Sequence, residues 1–308
     1  MLIKLEKMST SIYSFRKQFS TEADCLTYLM EEKWGKGYTC IKCGCTEHYK
    51  GRQWFYKRCK KCRYDESATA NTMFHKCKTG LLRAFEIGFR ISARKKGMST
   101  LELAAEFDCQ QKTAWLMKAK YQKAMESSGK YPLEGQVEID EFLLGGYAIN
   151  SPGRTPGVKQ LVVLGIEKVK DKNGKDTIGR AYAKVIENAS ADQLGKFFVE
   201  RVNEDSSITT DKWRGYLPLK ELWDIEQKLS DKGKGFKELH IHIMNIKNWL
   251  RGVHHQCSAE HLQSYLNEFH FRFNRRGFLK SILDKLLQRA VVMKPIHYAD
   301  IKLCELNT

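Results

Sequence analysis

Val137 to Gly146 reads VEIDEFLLGG, and the fold of the C-terminal half turns on it. Val137 to Ile139 is a short β-like run, and Asp140 and Glu141 follow it among apolar neighbours. A carboxylate ending an apolar strand is costly to bury unless it is paired or bound to metal. Alternation along a strand that continues through Glu141 puts the two acids on opposite faces. Asp140 is then the candidate ligand, and Glu141 is expected to be a surface or packing residue. Gly145 and Gly146 let the chain turn into a Gly/Pro loop at 148–159.

Outward from that stretch the texture is α/β. Gln136–Gly146, Gln160–Lys168, Gly179–Ile186 and Ser206–Asp211 read as strands. Asn173-Gly174 marks a hairpin tip between the second and third. Ser190–Val202 reads as a helix between the third and fourth strands, with Ser190 a plausible N-cap. Beyond Asp211 the pattern is helical over 239–250, 259–274 and 278–291.

The sequence divides into a helical lead-in (1–33, with its helix over 23–32), a Cys-rich segment (34–70) and a helical segment (71–126). A linker (127–135), the α/β domain (136–291) and a tail (292–308) follow. With 308 residues, 42% hydrophobic and 29% charged, the chain has the composition of a soluble multidomain protein. It lacks an apolar run of membrane-spanning length and a signal-type leader, so a cytoplasmic, nucleoid-associated protein without a membrane partner is expected. Its 53 Lys and Arg against 36 Asp and Glu leave a net charge of +17, which favours a polyanionic partner, most simply nucleic acid.

Cys40-x2-Cys43 and Cys59-x2-Cys62 are two knuckles separated by fifteen residues, a spacing that suits one tetrahedral Zn2+. A ribbon this small depends on its metal to fold. Between and beside the knuckles lie Lys57, Arg58, Lys60 and Lys61, interleaved with Trp54, Phe55 and Tyr56, a surface for phosphates that could equally meet a protein. Downstream, Ser99 and Glu102 form a capping-box pattern. Ser99 to Phe107 and Gln111 to Lys123 then read as a helix-turn-helix-like pair, with Lys112 and Lys118 available to touch DNA. A plain helical hairpin has the same pattern.

Asp211 ends the fourth strand as Asp140 ends the first. Ribonuclease H-like sheets place those two strands side by side, so the carboxylates would converge on Mg2+ or Mn2+. A third ligand is expected from the helix that contains Asn245 and Lys247. Asn offers an oxygen without charge, and Glu141, Glu238 and Glu260 stay open as contributors.

The ribbon, FHKCKTGLLRAFEIGFRISARKKGMSTLELA, KTAWLMKAK, VEIDEFLLGG, TTDKWRGY and NIKNWLRGVHHQCSAEHLQSYLNEFHFRFNRR together resemble one family. It is the bacterial insertion-sequence transposases of group fifteen-ninety-five, with an N-terminal zinc ribbon and a ribonuclease H-like catalytic domain of Asp-Asp-Glu type. The resemblance spans about Phe19 to Asn274. It implies cutting and joining of double-stranded DNA at terminal inverted repeats, on target DNA, by a dimer or larger assembly. It implies Asp140, Asp211 and Asn245 as the magnesium ligands, with Lys247 beside them. His240 falls in the same motif as a possible DNA contact, and Arg272, Arg275 and Arg276 would hold phosphates. A DNA-binding regulator with an inactive catalytic domain, and a nuclease that does not join ends, are the competing expectations.

Overall fold

The structure, a computed structural model, describes residues 11–144, 159–254, 257 and 259–303. The Gly145-Gly146 turn and nearly all of the expected Gly/Pro loop lie outside them. The chain divides into two compact units, 1–125 with 278–307, and 126–277.

The first unit begins with α1 (Ile12–Gln18) and α2 (Glu22–Trp34). Thr21 and Asp24 cap α2 reciprocally. A three-stranded antiparallel sheet follows, β1 (His48–Lys50), β2 (Tyr56–Cys59) and β3 (Asp65–Ser67). Then come α3 (Leu81–Ala93), α4 (Thr100–Glu106) and α5 (Gln111–Ala124). Gly80 cannot cap α3 with a side chain, and Glu22 of α2 does so instead, accepting from Leu81 N and Leu82 N at 2.9 and 3.1 Å. Ser99 and Glu102 form the expected capping box on α4. Phe19, Tyr28 and Phe85 meet edge to face in the core.

The second unit is a five-stranded mixed sheet, ordered β6-β5-β4-β7-β8, with helices on both faces. Its strands are β4 (Gln136–Leu144), β5 (Gln160–Lys170), β6 (Asp176–Ile186), β7 (Ser207–Thr210) and β8 (Asp224–Gln227). Antiparallel pairing joins β4, β5 and β6, and parallel pairing joins β4, β7 and β8. The helix α6 (Ala191–Arg201), N-capped by Ser190, covers one face through Leu194, Phe197 and Phe198. Val137, Ile139 and Ile208 of the sheet meet it. On the other face lie α7 (Lys237–Val253) and α8 (Ala259–Phe273), which bury Leu239, Ile243, Ile246, Leu262 and Leu266 against Phe142, Leu144, Val162 and Leu164. The strand β8 was not expected from its short sequence, DIEQ.

After 277 the chain returns to the first unit through α9 (Ile282–Val292) and α10 (Tyr298–Leu303). Here the structure corrects the expected α/β boundary at 291. Leu283, Leu286, Leu287 and Ala290 are buried, the Tyr28 hydroxyl donates to Asp284 Oδ1 at 2.8 Å, and Met73 N donates to Ala290 O at 2.9 Å. An amphipathic helix goes where its apolar stripe is buried, and neighbouring sequence does not decide where that is.

Candidate metal centres and nucleic-acid surfaces

The two knuckles of the ribbon are built alike. Gly44 N donates to Cys40 O, and Arg63 N donates to Cys59 O, at 2.8 and 3.1 Å. Gly44 and Arg63, each four residues past the leading cysteine, take left-handed φ of 71° and 59°. The turns bring the Cys40, Cys43, Cys59 and Cys62 sulfurs within 4.8 Å of one another, with Cys40–Cys62 and Cys43–Cys59 each at 3.5 Å. Sulfurs bound about 2.3 Å from one tetrahedral ion lie roughly 3.8 Å apart, so the set fits Zn2+. Neither Cys45 nor His48 belongs to this group.

The second centre arises where β4 and β7 run side by side. Ile139 pairs with Thr210, so the next residues, Asp140 and Asp211, emerge together. Asp140 is 8% exposed, and its Oδ1 accepts from Glu141 N at 2.8 Å. Asp211 Oδ1 accepts from Trp213 N at 2.9 Å, and Gln227 Nε2 donates to Asp211 O at 3.0 Å, which fixes the turn after β7.

Glu141, read first as a surface or packing residue and kept open as a contributor, joins them. One carboxylate oxygen from each of Asp140, Glu141 and Asp211 lies within 4.8 Å of the other two. Strand alternation holds, since Asp140 shares a face with Phe142 and Leu144 while Glu141 lies near Tyr216 on the α6 side. Just past the last β4–β7 pair the longer Glu side chain still reaches the other two acids. Burial pushes its carboxyl up to about 7, against the opposing pull of the Tyr216 hydroxyl, and the charges of Asp140 and Asp211 add to the rise. Its Oε1 is buried without a hydrogen-bond partner among the described residues. Three crowded carboxylates and a bare buried oxygen make a donor set suited to hard divalent cations.

The expected residues of α7 divide between two flanks of the helix. His240 Nε2 stands 3.7 Å from Asp140 Oδ2. Lys247 is half-buried, its ammonium 5.6 Å from the Phe142 ring centre, and burial lowers its pKa. Asn245 is exposed, about 140° round the helix from His240 and about 160° from Lys247. The i, i+7 spacing of His240 and Lys247 was the available sign that these two share a flank.

The expected DNA contacts fare unevenly. Arg58, Lys60 and Lys61 are exposed on the ribbon, although Arg58 pairs with Asp65 and Lys60 with Glu47. Lys57 is half-buried, its ammonium over the Trp34 and Tyr38 rings. Lys112 is exposed on α5 with Tyr298 of α10 against it, 4.5 Å from ammonium to ring centre. Lys118 is a correction: it is 2% exposed and donates to Met98 O, so it holds the segment before α4.

Arg272 is a second correction. It is buried, paired at 2.9 Å with the fully buried Glu268 and set against Trp249. The Arg275 guanidinium lies over Phe271. Arg276 donates to Gly179 O and Ile178 O of β6. Asn274 and Gln263 do likewise, pairing with Ala181 and with Val185 and Ala183 at 2.9 to 3.2 Å. The FNRR stretch thus satisfies the outer edge of the sheet.

With this geometry in hand, two family matches are informative. The family described as ISXO2-like transposase domain matches residues 132–274. The family described as transposase zinc-ribbon domain matches residues 20–65. No curated protein matches the chain. Among the described residues, no helix is long and apolar enough to cross a membrane.

Proposed function

We propose, for a chain that belongs to the IS1595 group of transposases with an N-terminal zinc ribbon, that the second unit cuts and joins DNA at the ends of a mobile element. The observation that carries this reading is the meeting of Asp140, Glu141 and Asp211 just beyond the last paired residues of the parallel strands β4 and β7. The sheet order and the helices on both faces support a ribonuclease H-like domain.

Asp140 and Asp211 would hold Mg2+ or Mn2+, with Glu141 beside them. Bound there, divalent cations would activate a water or a 3'-hydroxyl and stabilise the leaving oxygen of a phosphodiester. The protein's own part is to keep three acids close in a partly dry site. Lys247, over Phe142 on the same flank as His240, would steady a DNA phosphate. The Asn245 carboxamide, implied as the third ligand, would need α7 to turn before it reached the acids.

Binding of the terminal repeats falls to the first unit. The ribbon offers Arg52, Arg58, Lys60, Lys61 and Trp54, all exposed. The α4–α5 pair turns at Asp108, whose φ is 44°, and serves as a helix-turn-helix-like element through Lys112 and its neighbours. Two DNA ends held together call for two copies of the chain.

The test uses the zinc-loaded protein and DNA carrying the element ends. Asp140→Asn should abolish Mg2+-dependent cleavage and strand transfer while repeat binding survives. Persistent cutting by that variant would sink the assignment. Tight repeat binding by the wild type, with no cleavage in Mg2+ or Mn2+, would instead make the chain a DNA-binding regulator.

A further inference from the structure

We infer that His240, through Nε2, is a ligand of the divalent cation held by Asp140, in the place the family pattern gives to Asn245. The inference rests on the catalytic reading of the acid cluster above.

Three observations carry it. His240 Nε2 is buried and has no hydrogen-bond partner among the described residues, although the rest of the ring is partly exposed. A buried ring nitrogen without a partner is uncommon, and here it faces Asp140 Oδ2 across 3.7 Å. That gap is too long for a hydrogen bond. It is close to the span of two donors sharing one cation, roughly 3.0 to 3.5 Å for ligand distances near 2.1 Å.

The helix is also fixed, and a turn of the side chain has to bring His240 in, since it stands outside the tight group of Asp140, Glu141 and Asp211. Leu239, Ile243, Ile246 and Leu250 anchor α7 on the sheet, and that anchoring aims His240 at Asp140. The same anchoring leaves Asn245 exposed on the other flank. Reaching the acids with Asn245 would require turning a helix whose apolar face is already buried.

The consequence is a preference among metals. Oxygen-only sites suit Mg2+, whereas an imidazole donor favours transition metals, and Mn2+ stands at the hard end of that series. The acid cluster with His240 therefore selects Mn2+ over Mg2+ more strongly than carboxylates alone.

The full-length, zinc-loaded protein is titrated with Mn2+, and the bound ion is read by pulsed electron paramagnetic resonance. A histidine ligand gives a nitrogen-14 coupling. It should be present in the wild type and absent in His240→Ala and His240→Gln, with Mn2+ affinity lowered 10-fold or more in both. Affinity for Mg2+ should fall less. Asn245→Ala should keep both coupling and affinity. The inference is overturned if Mn2+ binds without nitrogen coupling, or if the coupling survives in both His240 variants. Loss of Mn2+ binding in Asp140→Asn alongside either result keeps the acid site and removes only His240. Unchanged Mn2+ binding in Asp140→Asn overturns the catalytic reading, and this inference with it.

Discussion

His242 and His270 touch inside the α7–α8 layer, Nε2 to Nε2 at 3.3 Å. His270 Nδ1 lies 2.8 Å from Leu266 O, which assigns its proton there and makes its Nε2 an acceptor. Burial pushes both below the ordinary histidine range, His242 to about 2, with His270 and Arg276 adding to the effect, and His270 to about 4. The folded state then refuses protons that the unfolded chain takes up below about pH 6.5. Stability is whole above that pH and is lost as pH falls toward 4. Between pH 7 and 5 the pair should remove about 3–4 kcal/mol from the second unit. Urea unfolding at the two pH values measures this, and His242→Phe should shrink the difference by about half. Asn245→Ala is a second residue-scale test. Helical geometry predicts unchanged metal affinity by calorimetry, whereas a first-rank ligand would cost at least tenfold. The convergence of Asp140 and Asp211 was legible in the sequence because each follows a short β-like run, although β4 itself continues through Asp140 to Leu144. The part played by Glu141 was left open, since alternation gives the face of a side chain and not its reach. Lys118 and Arg272 misled for a related reason: a long basic side chain reads as solvated unless the groups that bury it are visible.

Among the elements, α8 and its FRFNRR end are the clearest case of structure where surface chemistry was expected. Glu268 is fully buried, so Arg272→Met would take a paired cation away from a buried carboxylate. The expected cost is about 3–5 kcal/mol of unfolding free energy. Adding Glu268→Leu should recover most of it, and denaturant melts of the three variants would show both effects. A DNA-phosphate role predicts the reverse, a stable protein that binds DNA less well. The capped start of α4 offers a milder test, since Ser99→Ala removes one partner of the capping box and should cost about 1 kcal/mol by thermal melting. Caps, strands and the knuckle spacing were legible because they depend on neighbours within a few residues. The strand β8 and the placement of α9 were not, because four residues carry little pattern and a stripe does not name its partner. The knuckles carry one more local rule. Gly44 meets the left-handed turn freely, whereas Arg63 holds the same conformation with a side chain.

For the whole molecule, charge and metal divide between the two units. A net charge of +17 predicts that binding to DNA weakens steeply with salt, by tenfold or more between 50 and 200 mM if about three or more phosphates are neutralised. Fluorescence anisotropy on a labelled duplex measures it, and a flat salt response would remove the phosphate-contact reading. Stripping zinc with a chelator should unfold the ribbon and abolish that binding. The second unit should keep its own melting transition, because its core contains none of the four cysteines. The division into a ribbon and an α/β domain was legible in composition. The return of the chain to its first unit was not, because nothing in residues 282–292 records which core they complete. That return bears on birth order. A ribosome releases α1 to α5 early, then the entire acid-bearing unit, and only afterwards the helix that seats against Met73 and Tyr28. The part proposed to recognise DNA is thus started before the acid-bearing unit and finished after it, so a nascent chain stalled before 282 would have the acid-bearing unit assembled while the other unit still lacked a wall.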